Sequence, residues 1–205
     1  MGIIERKEKE KLEMQRLILE TAKKLFLEQG FEKVTLRSIA EKIEYSPATI
    51  YLYFKDKDEI LFQLHEAGFN ELFKRQQTIA GITNPLERLL KHARIYLQFA
   101  VENPEYYDLM FIMRAPVKCI KDEKAWKIGV RSYEMLYKDV AECIDAGLMT
   151  SSDPAVATFA LWASMHGIAS LVIRERCIVF PEEVLPAMIQ GAEKFIMDCI
   201  SNTAR

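Results

Sequence analysis

The sequence predicts an all-α protein of about nine helices, since apolar residues recur at helical spacing between capping residues. Half of the 205 residues are hydrophobic and 28% are charged, as in globular domains. Eight glycines and seven prolines are too few for the frequent turns of a β-sandwich or barrel. No segment alternates between apolar and polar residues as a half-buried strand does. We therefore expect a helical fold without a sheet.

The first predicted helix joins a mixed-charge N-terminus to a series of apolar residues. From Met14 to Phe26 these keep the i, i+3, i+4, i+7 spacing of a half-buried helix. Gly30 stands where a left-handed residue would end the helix, and Phe31 can then fold back on Phe26. We expect the first helix to stop at Gly30.

Capping residues predict the next three helices. Thr35 can cap a short helix, and Ser46 followed by Pro47 can cap and open another. Asp56, with Glu59 three residues later, forms a variant of the capping box before a longer amphipathic run. Two short helices in tandem, followed by a long one, are expected.

The rest of the chain repeats one capping device. Asn84, Asn103 and Asp153 each precede a proline, which suits the first position of a helix because its missing N–H is not needed there. Pro186 is expected to kink the last helix or delay its start. The predicted spans are 85–102, 104–114, 122–147, 154–175 and 182–201.

Residues 35–57 have the pattern of a helix-turn-helix, two short helices joined by a short turn. We assign residues 1–60 to this three-helix domain and residues 61–205 to a second helical domain for ligand binding and dimerisation. Recognition helices meet base edges with their N-terminal residues, so Ala48 and Thr49 are the expected base readers. The expected contacts to the DNA backbone are Thr35, Arg37, Ser46, Tyr51, Tyr53 and Lys57.

Some of these residues also have a structural interpretation. Tyr51 and Tyr53 are two positions apart, so one helix cannot turn both inward, and at least one is expected to be exposed. Thr35 can cap a helix and still contact a phosphate. Lys57 alone would be an ordinary solvated charge, and its place at a helix start favours the DNA role.

Three motifs resemble the N-terminal domain of the TetR family of bacterial regulators, over about residues 15–61. They are A-x-x-L-F-x-x-x-G-F at Ala22–Phe31, T-x-x-x-I-A at Thr35–Ala40 and S-x-x-x-I-Y-x-Y-F-x-x-K at Ser46–Lys57. Trp162–Gly167 resembles the Trp-His-Gly signature of one subgroup of the family's ligand-binding domains. The resemblance implies an operator-binding homodimer, paired through its last two helices, that responds to a small-molecule effector.

Two residues in the turn depart from the family pattern. Glu44 stands where the family usually has glycine, so it either adopts a left-handed conformation or changes the turn. Tyr45 replaces a small apolar residue, and its ring must swing outward or enlarge the local core. Residues 1–60 contain 12 basic and 12 acidic side chains, so DNA affinity must come from their placement.

The second domain is rich in aromatic and methionine residues, which usually form the core. A helical domain of this size can also enclose a ligand cavity lined by such side chains, and we expect an apolar or aromatic effector. His166 suits a hydrogen-bonded interior position, whereas His65 and His92 are expected at the surface. The candidate ligand-binding residues are Phe69, Tyr96, Phe99, Met110, Trp126, Tyr133, Trp162, Met165 and His166.

The sequence predicts a cytoplasmic protein with no cofactor, no metal site and no membrane association. The N-terminus has no apolar stretch of the kind found in secretory signals. Residues 155–173 carry no charge and approach the length of a membrane span, but their small and polar residues favour a buried helix. The cysteines, interpreted as buried apolar residues in a reducing compartment, are Cys119, Cys143, Cys177 and Cys199.

Different features of the sequence bear on three possible functions. A ligand-responsive regulator that represses transcription as a homodimer explains the helix-turn-helix and the apolar last two helices. An enzyme is disfavoured because the sequence has no phosphate-binding glycine loop, no H-E-x-x-H motif and only three histidines. The alternative is an architectural or protein-binding helical module without DNA readout, which Glu44 and Tyr45 would explain.

Overall fold

The computed structural model describes residues 2–113 and 127–201, and these ranges contain nine α-helices and no β-strand. The predicted all-α fold is therefore confirmed. The helices are α1 (Ile3–Gln29), α2 (Leu36–Lys42), α3 (Pro47–Tyr51), α4 (Lys57–Gln77), α5 (Pro85–Glu102), α6 (Pro104–Tyr107), α7 (Lys127–Asp145), α8 (Pro154–Ile173) and α9 (Leu185–Ile200).

Most helices begin at the residues that the sequence predicts. The Asn84 carboxamide accepts from the N–H groups of Leu86 and Glu87 at the start of α5, at 2.9 and 3.1 Å. The Asp153 carboxylate does the same at the start of α8. Pro186 lies in the first turn of α9, after a 3₁₀ turn over Glu182–Val184, so the proline delays the start of the helix.

The helix predicted over 104–114 is divided in the structure. After α6 the backbone widens into a π-helical turn over Asp108–Ile112, which the N–H of Met113 closes by donating to the carbonyl of Asp108 at 2.9 Å. Single π turns inside helices are frequent at functional sites. Nothing in the spacing of the apolar residues indicates this change of pitch.

The chain divides into two compact units, and it passes from one to the other within α4. The first unit contains the described residues up to Gly68 together with 105–113 and Lys127. The second contains 69–104 and 128–201. The predicted division at residue 60 treats the first domain as continuous, whereas the compact unit takes in a later segment of the chain.

The core of the first unit explains why that later segment belongs to it. Leu109, from the π turn, has no exposed surface and packs in the same apolar cluster as Ile18, Ile39 and Leu61. Gly68 of α4 lies so close to Met110 that an added Cβ would stand 2.5 Å from its Sδ. The π turn thus completes the core beneath the helix-turn-helix.

The second unit has its own apolar core, to which α5, α7, α8 and α9 all contribute. Leu89, Val140, Leu161 and Met197 are buried together in it. α5 and α7 are also linked by a buried polar network, described below. This core leaves part of α8 and α9 exposed.

Candidate DNA interface and effector site

The helix-turn-helix is built by two capped helices and a left-handed turn. Thr35 accepts from the N–H of Ser38 at 3.1 Å to cap α2, and Ser46 accepts from the N–H of Thr49 at 3.2 Å to cap α3. Glu44 has a φ of 60°, the left-handed conformation expected where the family has glycine. Of the two possibilities, Glu44 therefore adopts the left-handed conformation.

Tyr45, the second residue that departs from the family pattern, has its side chain turned outward. Its N–H donates to the carbonyl of Ala40 at 2.9 Å, which fixes the backbone, and its side chain is 46% exposed. The ring is therefore not buried in an enlarged core. It lies on the surface one residue before the cap of α3.

The side chains of α3 differ in how far they are exposed to solvent. Ala48 is exposed, Thr49 is half-buried with its hydroxyl 2.9 Å from that of Ser46, and Tyr51 is 61% exposed. Tyr53 is half-buried and packs against the apolar core, so one of the two tyrosines is exposed, as expected. Leu52, which sequence reasoning did not single out, is the most exposed apolar residue here, at 78%.

Lys57 has a structural role that the sequence did not indicate. Its ammonium donates to the backbone carbonyls of Phe31 at 2.9 Å, Val34 at 3.3 Å and Glu32 at 3.4 Å. It also lies 4.2 Å from the centre of the Phe31 ring. Lys57 therefore ties the start of α4 to the link between α1 and α2, and its phosphate contact stays a prediction. Arg37, by contrast, is exposed on α2.

A buried lysine connects α1 to α6 within the first unit. The Lys23 ammonium lies 3.0 Å from the carboxylate of Glu20, 3.2 Å from that of Glu105 and 4.7 Å from the centre of the Tyr106 ring. Burial alone would lower the pKa of Lys23, but the two carboxylates outweigh it and raise the pKa above its ordinary value. Lys23 thus stays charged and holds α6 to the DNA-binding unit.

In the second unit, four of the candidate effector residues come together. The hydroxyl of Tyr96 lies 3.1 Å from Nδ1 of His166, joining α5 to α8. The ring of Trp162 lies 6.4 Å from that of His166 and 6.3 Å from that of Tyr133. Burial lowers the pKa of His166, so its ring is neutral at pH 7 and can accept or donate a hydrogen bond.

The other candidate effector residues are distributed differently. Phe69, Phe99 and Met165 are buried in the second unit, with exposed fractions of 5% or less. Met110 belongs to the first unit, where it packs against Gly68. Trp126 lies outside the described residues.

Two histidines that were expected at the surface are buried, so that expectation is wrong. His65 and His92 each expose 2% of their surface. His92 follows Arg88 by one helical turn, on the stripe of α5 that also carries Ala93 and Tyr96. That spacing was the available signal that His92 faces the core.

His92 belongs to a buried polar network between α4, α5 and α7. Its Nδ1 lies 2.9 Å from the Asp139 carboxylate, and its Nε2 lies 2.7 Å from the amide of Gln76, which accepts from the Ser132 hydroxyl at 2.8 Å. Arg88 donates to Asp139 at 2.6 Å and also pairs with Glu142. Burial acts to raise the pKa of Asp139, but hydrogen bonds from His92 and Arg88 lower it overall.

The cysteines only partly match the expectation that they are buried. Cys143 is buried, and its burial raises the pKa of the thiol to about 11, so it is an unreactive core residue. Cys177 is half-buried and Cys199 is exposed, and Cys119 lies outside the described residues. In the described ranges, no group of three or more His, Cys, Asp or Glu side chains could hold a metal ion.

The helices α8 and α9 leave apolar stripes exposed along one side. On α8 the stripe runs from Val156 through Phe159 to Leu171, and on α9 it includes Met188 and Phe195. Leu161 and Met165 of the same helix are buried in the chain's own interior and are not part of the exposed stripe. Among the described residues α8 is the one helix long and apolar enough to cross a membrane, although length and composition alone are weak evidence for that.

Comparisons with known proteins agree with this geometry. Residues 18–64 match the family of bacterial regulatory proteins of the tetR type, and residues 89–190 match a tetracyclin repressor-like C-terminal domain. The transcriptional regulator HbdR of Aromatoleum sp. is 32% identical over 136 residues, which cover 64% of this chain and 58% of HbdR. The chain thus aligns with little more than half of the length of that relative.

Solved structures share the fold over most of the chain. The ketosteroid regulator KstR2 of Mycobacterium tuberculosis has a TM-score of 0.72 at 18% identity, covering 92% of this chain and 95% of KstR2. AibR, solved with isovaleryl coenzyme A and operator DNA, has a TM-score of 0.68 at 20% identity, covering 85% of this chain and 95% of AibR. The two matched domains and the helix-turn-helix together show that this chain belongs to the TetR family of bacterial transcriptional regulators.

Proposed function

We propose that this protein is a repressor that binds a palindromic operator as a homodimer and is released by a small apolar or aromatic effector. The observation that carries the proposal is the exposed surface of α3, capped by Ser46 and presenting Ala48 and Tyr51 beside the half-buried Thr49. The left-handed backbone of Glu44, with a φ of 60°, supports the proposal because it is the conformation expected at a position where the family usually has glycine. An architectural module without DNA readout is not favoured.

The dimer follows from the apolar stripes of α8 and α9. A monomer in water would leave most of the surface of Phe159, at 62% exposure, and of Phe195, at 69%, in contact with solvent. Pairing of these helices with their symmetry mates would bury both stripes in a four-helix interface. Two recognition helices would then address half-sites about 34 Å apart, one turn of DNA. The exposed apolar face of α8 does not require a membrane, because a second copy of the chain would cover the same face.

The effector site is best placed at the group of Tyr96, His166, Trp162 and Tyr133. It combines aromatic surface with two hydrogen-bonding groups, the composition of sites for small ligands. Since AibR has the same fold and was solved with isovaleryl coenzyme A, acyl-coenzyme A thioesters belong in the first panel of ligands. α4 is continuous between the two compact units, so we expect it to carry the signal to Lys57 and the DNA-binding unit.

Selection of bound sequences from a random duplex library tests the DNA-binding part of the proposal. We expect a palindrome to be enriched by the wild type, and a Thr49→Ala, Tyr51→Ala double variant to lose at least about a hundredfold in affinity for it. The double variant should keep its helical circular dichroism, because Tyr51 is exposed and Thr49 is only half-buried. A Thr83→Ala, Tyr137→Ala variant, altered at exposed sites outside the helix-turn-helix, is the matched control.

Two results would contradict the proposal. One is a wild-type protein that enriches no sequence after unfolding and refolding has removed any co-purified ligand. The other is a double variant that binds the selected palindrome as tightly as the control. Release is tested by adding each member of the ligand panel to the operator complex, with Tyr96→Phe as the variant expected to weaken the response.

A further inference from the structure

The segment between α8 and α9 presents apolar side chains at the tip of a turn. The N–H of Phe180 donates to the carbonyl of Cys177 at 2.9 Å and closes a β-turn. Its two central residues, Ile178 and Val179, are 87% and 77% exposed. Glycine, proline, asparagine and aspartate are the usual residues at such positions. The geometry of the turn therefore does not explain why two β-branched apolar residues occupy its central positions.

The backbone on both sides of this turn is fixed by hydrogen bonds. α8 ends with the N–H of Arg176 donating to the carbonyl of Leu171 at 2.9 Å, while Glu175 takes a φ of 52°. After the turn, the N–H of Val184 donates to the carbonyl of Pro181 at 3.1 Å. The hydrogen bond from Arg176 to Leu171 is that of a Schellman motif at the end of α8, with the non-glycine residue Glu175 at its left-handed position. The two apolar side chains are thus presented on an ordered support.

The turn joins the exposed stripes of the two flanking helices. The α8 stripe ends at Leu171, which is 52% exposed; Val184, in the 3₁₀ turn before α9, is 42% exposed, and the α9 stripe begins at Met188, at 45%. Ile178 and Val179 lie between these ends along the chain. Along the chain, exposed apolar residues therefore follow one another from the end of α8 through the turn to the start of α9, the two helices that the proposed homodimer pairs.

We propose that Ile178 and Val179 pack against a second copy of this chain, so that the turn extends the homodimer interface beyond α8 and α9. The inference rests on the proposed function, which supplies the homodimer. Arg176, Glu182 and Glu183 flank the turn with exposed side chains that form no ion pair within the described ranges. They give the apolar tip the charged rim that is usual around a buried contact.

A double variant, Ile178→Ser and Val179→Ser, tests the inference. Because a two-fold interface contains each contact twice, four apolar side chains lose their burial, and the dimer dissociation constant should rise by at least about a hundredfold. Sedimentation equilibrium over a range of concentrations measures this constant. Leu12→Ser is the matched control, since Leu12 is 65% exposed on α1, and it should leave the constant unchanged.

The outcomes separate the inference from the proposed function. A wild-type chain that stays monomeric up to about 50 μM would overturn both. A wild-type dimer whose constant the double variant changes by less than about threefold would overturn only the role of the turn. That role is also overturned if the turn binds lipid instead: the wild type would sediment with vesicles of equal phosphatidylglycerol and phosphatidylcholine, and the double variant would not.

Discussion

Two glutamates in this protein hold a backbone conformation that favours glycine. Glu44 in the helix-turn-helix has a φ of 60°, and Glu175 after α8 has a φ of 52°. A side chain costs about 1–2 kcal/mol in this region, because Cβ meets the following carbonyl oxygen. Both residues are exposed, so their carboxylates stabilise neither turn by burial. They differ in position, since only Glu44 lies at the DNA-binding helices.

Replacing each glutamate by glycine separates backbone strain from DNA binding. We expect Glu44→Gly and Glu175→Gly each to stabilise the fold by up to about 1 kcal/mol, since relief of strain exceeds the entropy that glycine adds to the unfolded chain. Only Glu44→Gly should also tighten operator binding, because it removes a negative charge that would face DNA phosphates. Urea unfolding and operator titration measure the two effects. Equal operator affinities for the two variants would show that Glu44 does not lie near DNA.

The buried His65 makes the free energy of unfolding depend on pH. Burial lowers its pKa to about 4, and a hydrogen bond to the backbone of Leu109 only partly opposes this. The unfolded chain, with a histidine pKa near 6.5, therefore binds the proton more readily than the folded one. The resulting contribution to stability is complete above pH 6.5 and is lost as the pH falls towards 4.

A His65→Gln variant should remove this part of the acid dependence. Between pH 6.5 and 4 the wild type should lose about 3 kcal/mol more unfolding free energy than the variant, at about 1.4 kcal/mol for each pH unit. Urea unfolding at several pH values measures the difference, and NMR titration of the imidazole measures the pKa itself. Parallel pH curves for the two proteins would show that His65 titrates normally in the folded state.

At the scale of the elements, the sequence predicted the caps well and the interior polar contacts poorly. A cap depends on residues within one turn, so Thr35, Ser46 and Asn84 could be identified from their neighbours alone. Arg88 and Asp139 are 51 positions apart, and their pairing depends on how α5 packs against α7. The π turn after α6 depends in the same way on its place in the core, where Leu109 is fully buried.

In the candidate site too, features set by neighbouring residues could be predicted from the sequence, and contacts between distant residues could not. The motif around Ser46–Lys57 located α3 and indicated that at least one of Tyr51 and Tyr53 is exposed, and in the structure this residue is Tyr51. It could not show that Lys57 binds the carbonyl oxygens of Phe31 and Val34, because these lie more than 20 residues earlier. In the second unit, Tyr96 and His166 were named from composition, and only packing brings them together across 70 residues.

Arg88 of α5 pairs with two carboxylates of α7, Asp139 and Glu142, and we expect their removal to have unequal effects on stability. Asp139 is buried and holds both Arg88 and His92, whereas Glu142 is half-exposed and pairs with Arg88 and with the exposed Lys138. Asp139→Ala leaves a buried guanidinium without its main partner, so we expect a loss of about 3–5 kcal/mol in unfolding free energy. Glu142→Ala should cost less than about 1 kcal/mol, because solvent replaces much of the pairing. Urea unfolding of both variants provides the comparison, and similar losses would contradict a buried role for Asp139.

The charge of the whole molecule limits how it can bind DNA. The formal net charge is −2, and residues 1–60 carry equal numbers of basic and acidic side chains. No long-range positive field draws the protein to DNA, so binding depends on a few cations and N–H groups placed at phosphates. This distinguishes the protein from regulators that bind through basic tails. It also makes the salt dependence of operator binding a direct measure of how many phosphates are contacted.

We expect a moderate salt dependence for the dimer. Neutralising roughly two to four phosphates in each half-site gives a slope of log affinity against log salt of about −4 to −7. Arg37→Gln should make the slope shallower by about 2, since the dimer contains two copies of this exposed side chain and each releases about 0.9 counterion. Lys74→Gln, at an exposed lysine late in α4, should leave the slope unchanged. A wild-type slope near −10, or equal slopes for all three proteins, would mean that charges other than those at the helix-turn-helix dominate binding.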